Sequence, residues 1–249
     1  MSVLIRRLAG AAAAVVALGA VGAPAALADH TQQLDVGAQL VRQQAGGKPW
    51  IVNLSIGADL GSTDGTVPSP IRDMRFSFTK GAEVHPEAFA TCTLTVLTTK
   101  GPAGCPSDSR LGKGTAVANV LGTAYPATIA VFNGPEQGGS RKVLFYARAL
   151  QTVVIPIQAT LKRASGAKYG WALDVPVQQI QVTKGQFASI TSFAVTVGGI
   201  GRKGVPFIEA PTSCSGAGWP FLGKFTYQDG ATGTASATIS CLLKGTSGG

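Results

Sequence analysis

From about residue 30 onward, apolar and polar residues alternate with a period of two, and clusters of Gly, Pro, Asp and Ser interrupt the alternation. This pattern predicts β-strands with one face toward a core and the other toward solvent. In KFTYQDG, for example, Phe225 and Tyr227 should face the core, while Lys224 and Thr226 face solvent. The pattern predicts strands at Gln33–Val41, Trp50–Ala58, Ile71–Thr79, Gly114–Val120, Ala127–Phe132, Lys142–Leu150, Ile155–Lys162, Gly170–Val177, Ser189–Val197, Phe221–Gln228 and Ala235–Leu242.

Helical periodicity does not extend over roughly twelve residues anywhere without a Gly or Pro interrupting it. Many short strands separated by turns predict an all-β, antiparallel β-sandwich, either immunoglobulin-like or jelly-roll-like. Residues 29–249 are expected to form a single domain of this kind. A division into two smaller β domains near residues 100–122 is the alternative. The segment Leu60–Asp73 predicts a long polar loop.

The first 28 residues follow a different pattern. Arg6 and Arg7 precede an apolar run at 8–22, and Ala26-Leu27-Ala28 matches a small-x-small cleavage site before Asp29. This arrangement predicts a signal peptide at 1–28 and a secreted, extracellular or cell-wall-associated product. The general secretory and the twin-arginine export routes both stay open. The apolar run is shorter than the roughly 20 residues of a membrane span, and we expect no spanning segment after cleavage.

The charge of the chain is strongly basic. It contains 21 Lys and Arg against 12 Asp and Glu, a formal net charge of +9. Such a surplus attracts anionic polymers, among them wall phosphates, lipid headgroups and nucleic acid. The alternative is that the charge serves solubility alone, since the basic residues are spread along the whole chain. We expect no nucleotide partner and no specific nucleic-acid partner.

The four cysteines predict two disulfides in an exported protein. Of the three possible pairings, we expect Cys92–Cys105 and Cys214–Cys241, because each pair encloses one short segment of chain. A zinc site is disfavoured, because there is no CxxC motif and the chain has only two histidines. We expect no metal and no cofactor.

The stretch CPSDSRLGKGTA suggests a phosphate-binding loop, but its spacing does not fit one. A P-loop requires a glycine where Ser107 stands, and the dinucleotide fingerprint requires one where Val117 stands. We interpret Gly112 and Gly114 as residues that turn the chain sharply into the following strand. Tentative anion contacts are the basic residues of this stretch and of a second glycine-flanked loop: Arg110, Lys113, Arg202 and Lys203.

Catalytic motifs are sparse. No GxSxG element occurs. His30, next to the predicted cleavage site, is expected to be disordered. His85 is therefore the candidate general base, with Glu83 and Glu87 as carboxylates that would orient its ring. The three tryptophans are interpreted as core or rim residues: Trp50, Trp171 and Trp219.

Several segments together resemble a group of exported proteins from high-GC actinobacteria. These segments are FATCTL, CPSDSRLGKGTA, VFNG, LFYARA, ITSFAVTV, and EAPTSC followed by WPF, FTYQDG and a last cysteine. The resemblance extends from about Leu34 to Cys241. It implies export, disulfides and an all-β core, and it implies no activity and no catalytic residue.

Two hypotheses for the function follow. The first is a secreted, non-enzymatic β-sandwich protein of the cell envelope or extracellular space that binds an anionic envelope component, such as a cell-wall polymer, or a partner protein. The alternative is a secreted hydrolase that acts on glycosidic or ester bonds with His85 in its site. The two hypotheses predict different geometry around His85. A hydrolase needs a nucleophile within hydrogen-bonding reach of His85 in a concave pocket, and a binding protein does not.

Overall fold

The computed structural model describes residues 29–44, 48–214 and 216–240, with the side chains of 40–44 and 48–50 outside this set. The predicted signal peptide at 1–28 and Cys241 lie outside the described residues. Within them the chain is mostly β, and every strand predicted from the alternation is present, although residues 241 and 242 of the last one lie outside the described set. The strands are β1 (His30–Gln44), β2 (Lys48–Ser62), β3 (Ile71–Thr79), β4 (Glu83–Val84), β5 (Arg110–Val120), β6 (Thr123–Gln137), β7 (Ser140–Ala149), β8 (Val153–Arg163), β9 (Tyr169–Pro176), β10 (Gln181–Thr183), β11 (Gln186–Phe187), β12 (Ser189–Gly198), β13 (Gly201–Arg202), β14 (Val205–Pro206), β15 (Ile208–Glu209), β16 (Trp219–Tyr227) and β17 (Thr232–Ile239).

The strands form one large antiparallel sheet. Its order is β17-β16-β3-β9-β8-β7-β6-β5-β12-β2-β15-β4, and β1 pairs with β2. The hairpins β10–β11 and β13–β14 stand apart from it. The predicted all-β antiparallel class is confirmed, and the facing layers of the sandwich belong to one continuous sheet. Strands that precede residues 100–122 and strands that follow them pair within this one sheet.

The sheet curls until its two edges meet. β1 lies against β17, and the Gln32 side chain donates a hydrogen bond from Nε2 to the hydroxyl of Tyr227 at 3.0 Å. Across the interior, the rings of Phe76 on β3 and Phe193 on β12 are 5.9 Å apart, although these strands are far apart in the sheet order. The inward face is therefore a continuous apolar lining, as the alternation predicted for Phe225 and Tyr227, both at most 1% exposed.

His30 takes part in this closure, so the expectation of disorder is wrong. Its side chain is 1% exposed, and Nε2 lies 2.7 Å from Oδ2 of Asp229. The imidazole ring also stacks on Tyr227, with ring centroids 3.9 Å apart. The Tyr227 ring and the Asp229 carboxylate, at the β16–β17 hairpin, together fix the position of this histidine.

Gly112 and Gly114 lie inside β5, so the prediction that they turn the chain into the next strand is wrong. A Cβ atom on Gly114 would lie 2.3 Å from the carbonyl oxygen of Ala194, and one on Gly112 would collide with Thr196. The backbone of β12 therefore occupies the space that a side chain on β5 would need. We call this close approach of the two strands the β5–β12 crease.

The helical elements cover the outer face of the sheet. They are the α-helix α1 (Leu94–Lys100) and three 3₁₀ turns at Pro86–Ala88, Pro102–Gly104 and Ser107–Ser109. The hydroxyl of Thr93 caps α1 by accepting from Val96 N, and Gly101, with φ 66°, ends it. Leu97 is fully buried against β6 and β7, in a small second core with Cys92, Ala130, Phe132 and Leu144.

The Cys92–Cys105 disulfide is confirmed, with a Cα–Cα distance of 5.3 Å. It fastens the helical segment over that second core. Cys92 lies outside the strands, two residues before α1. The Cys214–Cys241 pairing stays a prediction, because Cys241 lies outside the described residues.

Because neighbouring strands are antiparallel, their turns gather at two ends of the curled sheet. We call the end that carries the turns at 121–122, 150–152 and 228–231 the hairpin end. His85 and β15 lie at the opposite end. Among the described residues, no helix is long and apolar enough to span a membrane.

Candidate functional site

The main internal feature is an apolar cavity enclosed by the curled sheet. Its volume is about 250 Å³, and it runs from Trp171 and Trp219 at the opposite end to Ile190 and Val177 at the hairpin end. Phe145 and Leu173, which line it, point inward yet stay partly exposed. Trp171 and Trp219 are thus wall residues, in agreement with the core or rim interpretation, while the side chain of Trp50 lies outside the described set.

The cavity exists because small residues stand at inward positions on neighbouring strands. Five alanines line it near the hairpin end, where leucine or phenylalanine would fill the space. Native cores normally pack to a density that leaves few voids larger than a water molecule. The open volume therefore results from the small side chains at five positions: Ala116, Ala118, Ala127, Ala147 and Ala149.

Two cavity-lining residues carry polar atoms that are buried and have no hydrogen-bond partner among the described residues. They are Nε1 of Trp171, a donor, and Oε1 of Gln179, an acceptor. The Gln179 amide group otherwise donates from Nε2 to the carbonyl of Ile71 at 2.6 Å. Buried polar groups are nearly always hydrogen-bonded in native proteins. These two atoms mark places where a bound molecule with its own polar group would be held.

His85 lies at the opposite end of this cavity, beside the lining residue Glu209. Its Nε2 atom is 3.1 Å from Oε2 of Glu209, and Nδ1 is 3.4 Å from Oε1 of Glu87. Glu83, expected to orient His85, instead forms a two-pronged ion pair with Arg163. Sequence reasoning missed Glu209, which is more than a hundred residues away and reaches His85 through the β4–β15 pairing.

This cluster lacks the nucleophile that the hydrolase hypothesis requires. Among the described residues, no Ser, Thr or Cys side chain is hydrogen-bonded to His85. Two carboxylates within 3.4 Å fix the position of the imidazole ring. The cluster therefore fastens residues 83–87 to β15 at the opposite end of the cavity.

Arg110 and Lys113 lie together on a second concave feature, an open groove of about 700 Å³ on the outer face of the sheet, with both polar and apolar lining. The groove runs over β1, β2, β12, β5 and β6, next to the β5–β12 crease. Ser55 and Thr196 hydrogen-bond to each other at 2.9 Å on its floor. Its remaining polar side chains are Asp35, Thr115 and Thr128.

The other two tentative anion contacts are not part of this groove. Arg202 forms an ion pair with Asp108 at 2.9 Å. Lys203 follows in the turn of the β13–β14 hairpin, with φ 49°. Because a carboxylate already partners Arg202, this loop is a weaker candidate for anion binding than Arg110 and Lys113.

Comparisons with protein-family models, with curated proteins and with solved structures found no match for this chain. The resemblance to exported actinobacterial proteins therefore stays a hypothesis. No group of three or more His, Cys, Asp or Glu side chains placed to hold a metal ion occurs within the described part of the chain.

Proposed function

We propose that this protein is a secreted, non-catalytic carrier or receptor that binds an apolar, lipid-class molecule inside the curled sheet. The observation that carries the proposal is the apolar cavity of about 250 Å³. It exceeds the roughly 150 Å³ of a dry engineered cavity that admits benzene. Extracytoplasmic location rests on the predicted signal peptide and fits a disulfide-bonded fold.

Energetics favour a filled cavity. Empty core volume costs about 24 cal/mol per Å³, so a void of 250 Å³ would cost on the order of 6 kcal/mol. The total stability of a domain is only about 5–15 kcal/mol. An antiparallel sheet does not require such a void, because larger side chains at the inward alanines would fill it and remove its free-energy cost. A ligand that fills the space offsets the cost.

The polar atoms of the lining narrow the class of ligand. Trp171 offers an N–H donor and Gln179 a carbonyl acceptor. Glu209, at the same end as Trp171, disfavours a ligand carboxylate there by charge repulsion. An uncharged acyl compound matches this lining best, with a carbonyl that accepts from Trp171, a hydroxyl or amide N–H that donates to Gln179, and an apolar chain.

Binding of the neutral fluorescent probe N-phenyl-1-naphthylamine tests the proposal, with displacement of the probe by a monoacylglycerol. We expect saturable binding that Ala127→Phe, which fills the cavity, weakens by about tenfold or more. Its matched control is Ala124→Phe on the same strand, where the residue is exposed. A wild-type protein that binds no probe, or equal losses in both variants, would contradict the proposal.

A second candidate function is binding of an anionic envelope polymer in the outer groove. The observation that favours it is the shared position of Arg110 and Lys113 on one concave surface with several hydroxyl groups. A phosphate polymer would contact both cations and accept hydrogen bonds from the hydroxyls. Retention on isolated cell wall should then fall steeply with salt and fall further in Lys113→Ala. Salt-independent retention would exclude it.

A further inference from the structure

The large apolar side chains that the structure leaves exposed all lie at the hairpin end. Leu121 is 59% and Leu150 60% exposed. They occupy the turns of the adjacent hairpins β5–β6 and β7–β8, and Val153 and Val154 follow directly on β8. We call these four residues the hairpin rim. Val67 is the remaining large apolar side chain that is exposed among the described residues. It lies in the loop between β2 and β3 at the same end.

The backbone conformation at both leucines is one that favours other residue types. Leu121 has φ 52° and Leu150 has φ 50°, in the left-handed region that side chains other than Gly, Asn and Asp rarely adopt. Leu121 and Gly122 form a two-residue hairpin turn with both φ values positive, for which Asn-Gly is strongly favoured. Leucine at these positions contributes neither to the core nor to the turn geometry. An interaction outside the chain explains both leucines.

The charges around the hairpin rim are of one sign. The segments 119–127, 147–157 and 177–188, which form this part of the hairpin end, contain no Asp or Glu. Arg148 and Lys184 are exposed there, and neither forms an ion pair with a described residue. The acidic side chains of this end include Asp29, Asp64, Asp73 and Asp229, which lie on or next to β1, β2, β3 and β16. Exposed apolar tips flanked by cations match the surface of an anionic bilayer.

The lining of the cavity extends to this same end. The segment from β9 to β12, Val177–Ala188, crosses the hairpin end, since these two strands are not neighbours in the sheet. Five of its residues line the cavity, and one of them, Gln178, is also exposed. Ala149, another lining residue, directly precedes Leu150. The hairpin rim therefore borders the end at which the lining meets solvent.

We propose that the hairpin rim inserts into the surface of a bilayer that contains anionic lipids, with Leu121 and Leu150 in the interface and Arg148 and Lys184 on the headgroups. In this orientation the hairpin end of the cavity lies next to the bilayer, from which an apolar ligand could enter. The inference goes beyond the proposed ligand binding and does not depend on it, because the exposure and charge of the rim are independent of what the cavity holds.

Co-sedimentation with large unilamellar vesicles tests the inference. We expect the protein to bind vesicles of phosphatidylglycerol and phosphatidylcholine more tightly than vesicles of phosphatidylcholine alone, and the double variant Leu121→Asn/Leu150→Asn to lose about tenfold or more in affinity. Asn is favoured in both turns, so the variant should fold at least as stably as the parent. Arg148→Gln/Lys184→Gln should weaken binding, whereas the matched pair Lys80→Gln/Lys168→Gln, exposed at the opposite end, should not.

The outcomes separate this inference from the proposed function. Leu121→Asn/Leu150→Asn should keep N-phenyl-1-naphthylamine binding in the absence of vesicles, and Ala127→Phe should keep vesicle binding. Absence of vesicle binding, or binding that the leucine variant retains, would overturn the inference. So would sedimentation equilibrium in which the parent self-associates through the rim and the leucine variant does not, because the occupant would then be a second copy of this chain.

Discussion

At the scale of single residues, one buried amide group holds the helical segment to the sheet. Asn133 on β6 is fully buried, and its Nδ2 donates to the carbonyls of Pro86 and Ala90 at 2.9 and 3.1 Å. Its backbone carbonyl accepts from Cys92 N at 2.8 Å. The irregular chain at 86–93 has no ladder of its own, so this side chain supplies the partners that its carbonyls would otherwise lack.

Replacing Asn133 by leucine should destabilise the protein by about 2–4 kcal/mol, because buried carbonyls lose their donor and a larger side chain enters a fully buried position. Urea unfolding followed by tryptophan fluorescence measures this change. Thr128→Val, at an exposed position of the same strand, should stay within about 0.5 kcal/mol of the parent. Equal stabilities for Asn133→Leu and the parent would show that water satisfies these carbonyls.

At the scale of strands, glycine decides how sharply the sheet bends. The β5–β12 crease brings two paired strands closer than side chains permit, and the outer groove lies directly over it. From sequence, Gly112 and Gly114 are predicted to turn the chain into the next strand, whereas they lie within β5 and make room for the β12 backbone. A neighbouring strand 80 residues away leaves no local signature beside them, so this role could not be predicted.

Gly114→Ala should destabilise the protein by about 1–3 kcal/mol, since the new methyl group would overlap the β12 backbone. Gly37→Ala is the matched control, because it faces the same groove and a Cβ there meets nothing within 4 Å. We expect this control to leave the urea midpoint unchanged or slightly raised. If both substitutions had the same effect, the crease would not be under steric constraint.

At the scale of the whole molecule, the interior is closed by contacts between the first and last strands. Burial raises the pKa of Asp229, but the hydrogen bonds that it accepts from Ala231 N and from His30 outweigh this, and its pKa lies below the ordinary 3.8. Burial likewise raises the pKa of Tyr227, on which His30 stacks. The closure therefore includes one carboxylate whose ionised form the fold prefers.

The stability contributed by Asp229 should be complete above pH 3.8 and be lost as the pH falls below that value through the lowered pKa of the folded state. Thermal unfolding from pH 7 to pH 2 measures this loss. Asp229→Asn should be less stable than the parent at neutral pH and should show a shallower decline in acid. An acid decline of unchanged steepness would place the responsible carboxylates elsewhere.

Strand positions, core faces and one disulfide could be predicted from the sequence, because each depends on neighbours within a few residues. Ile71–Thr79 matches β3 residue for residue, and Phe225 and Tyr227 are buried as the alternation requires. The cavity could not be predicted, because alanines on β5, β6 and β7 form a void only when these strands face the rest of the lining. Alternating alanine in GTAVANV and YARAL is the one local signal that points to it.

The joining of β1 to β16 and β17 also fixes when the molecule becomes complete. His30 and Asp229 are 199 positions apart, so β1 is synthesised well before β16 and β17, and its apolar face stays uncovered until they form. Long-range pairings of this kind form late and slowly in folding. Until they form, the chain has no enclosed interior, and a bound molecule would be released each time the seam between its two ends opened.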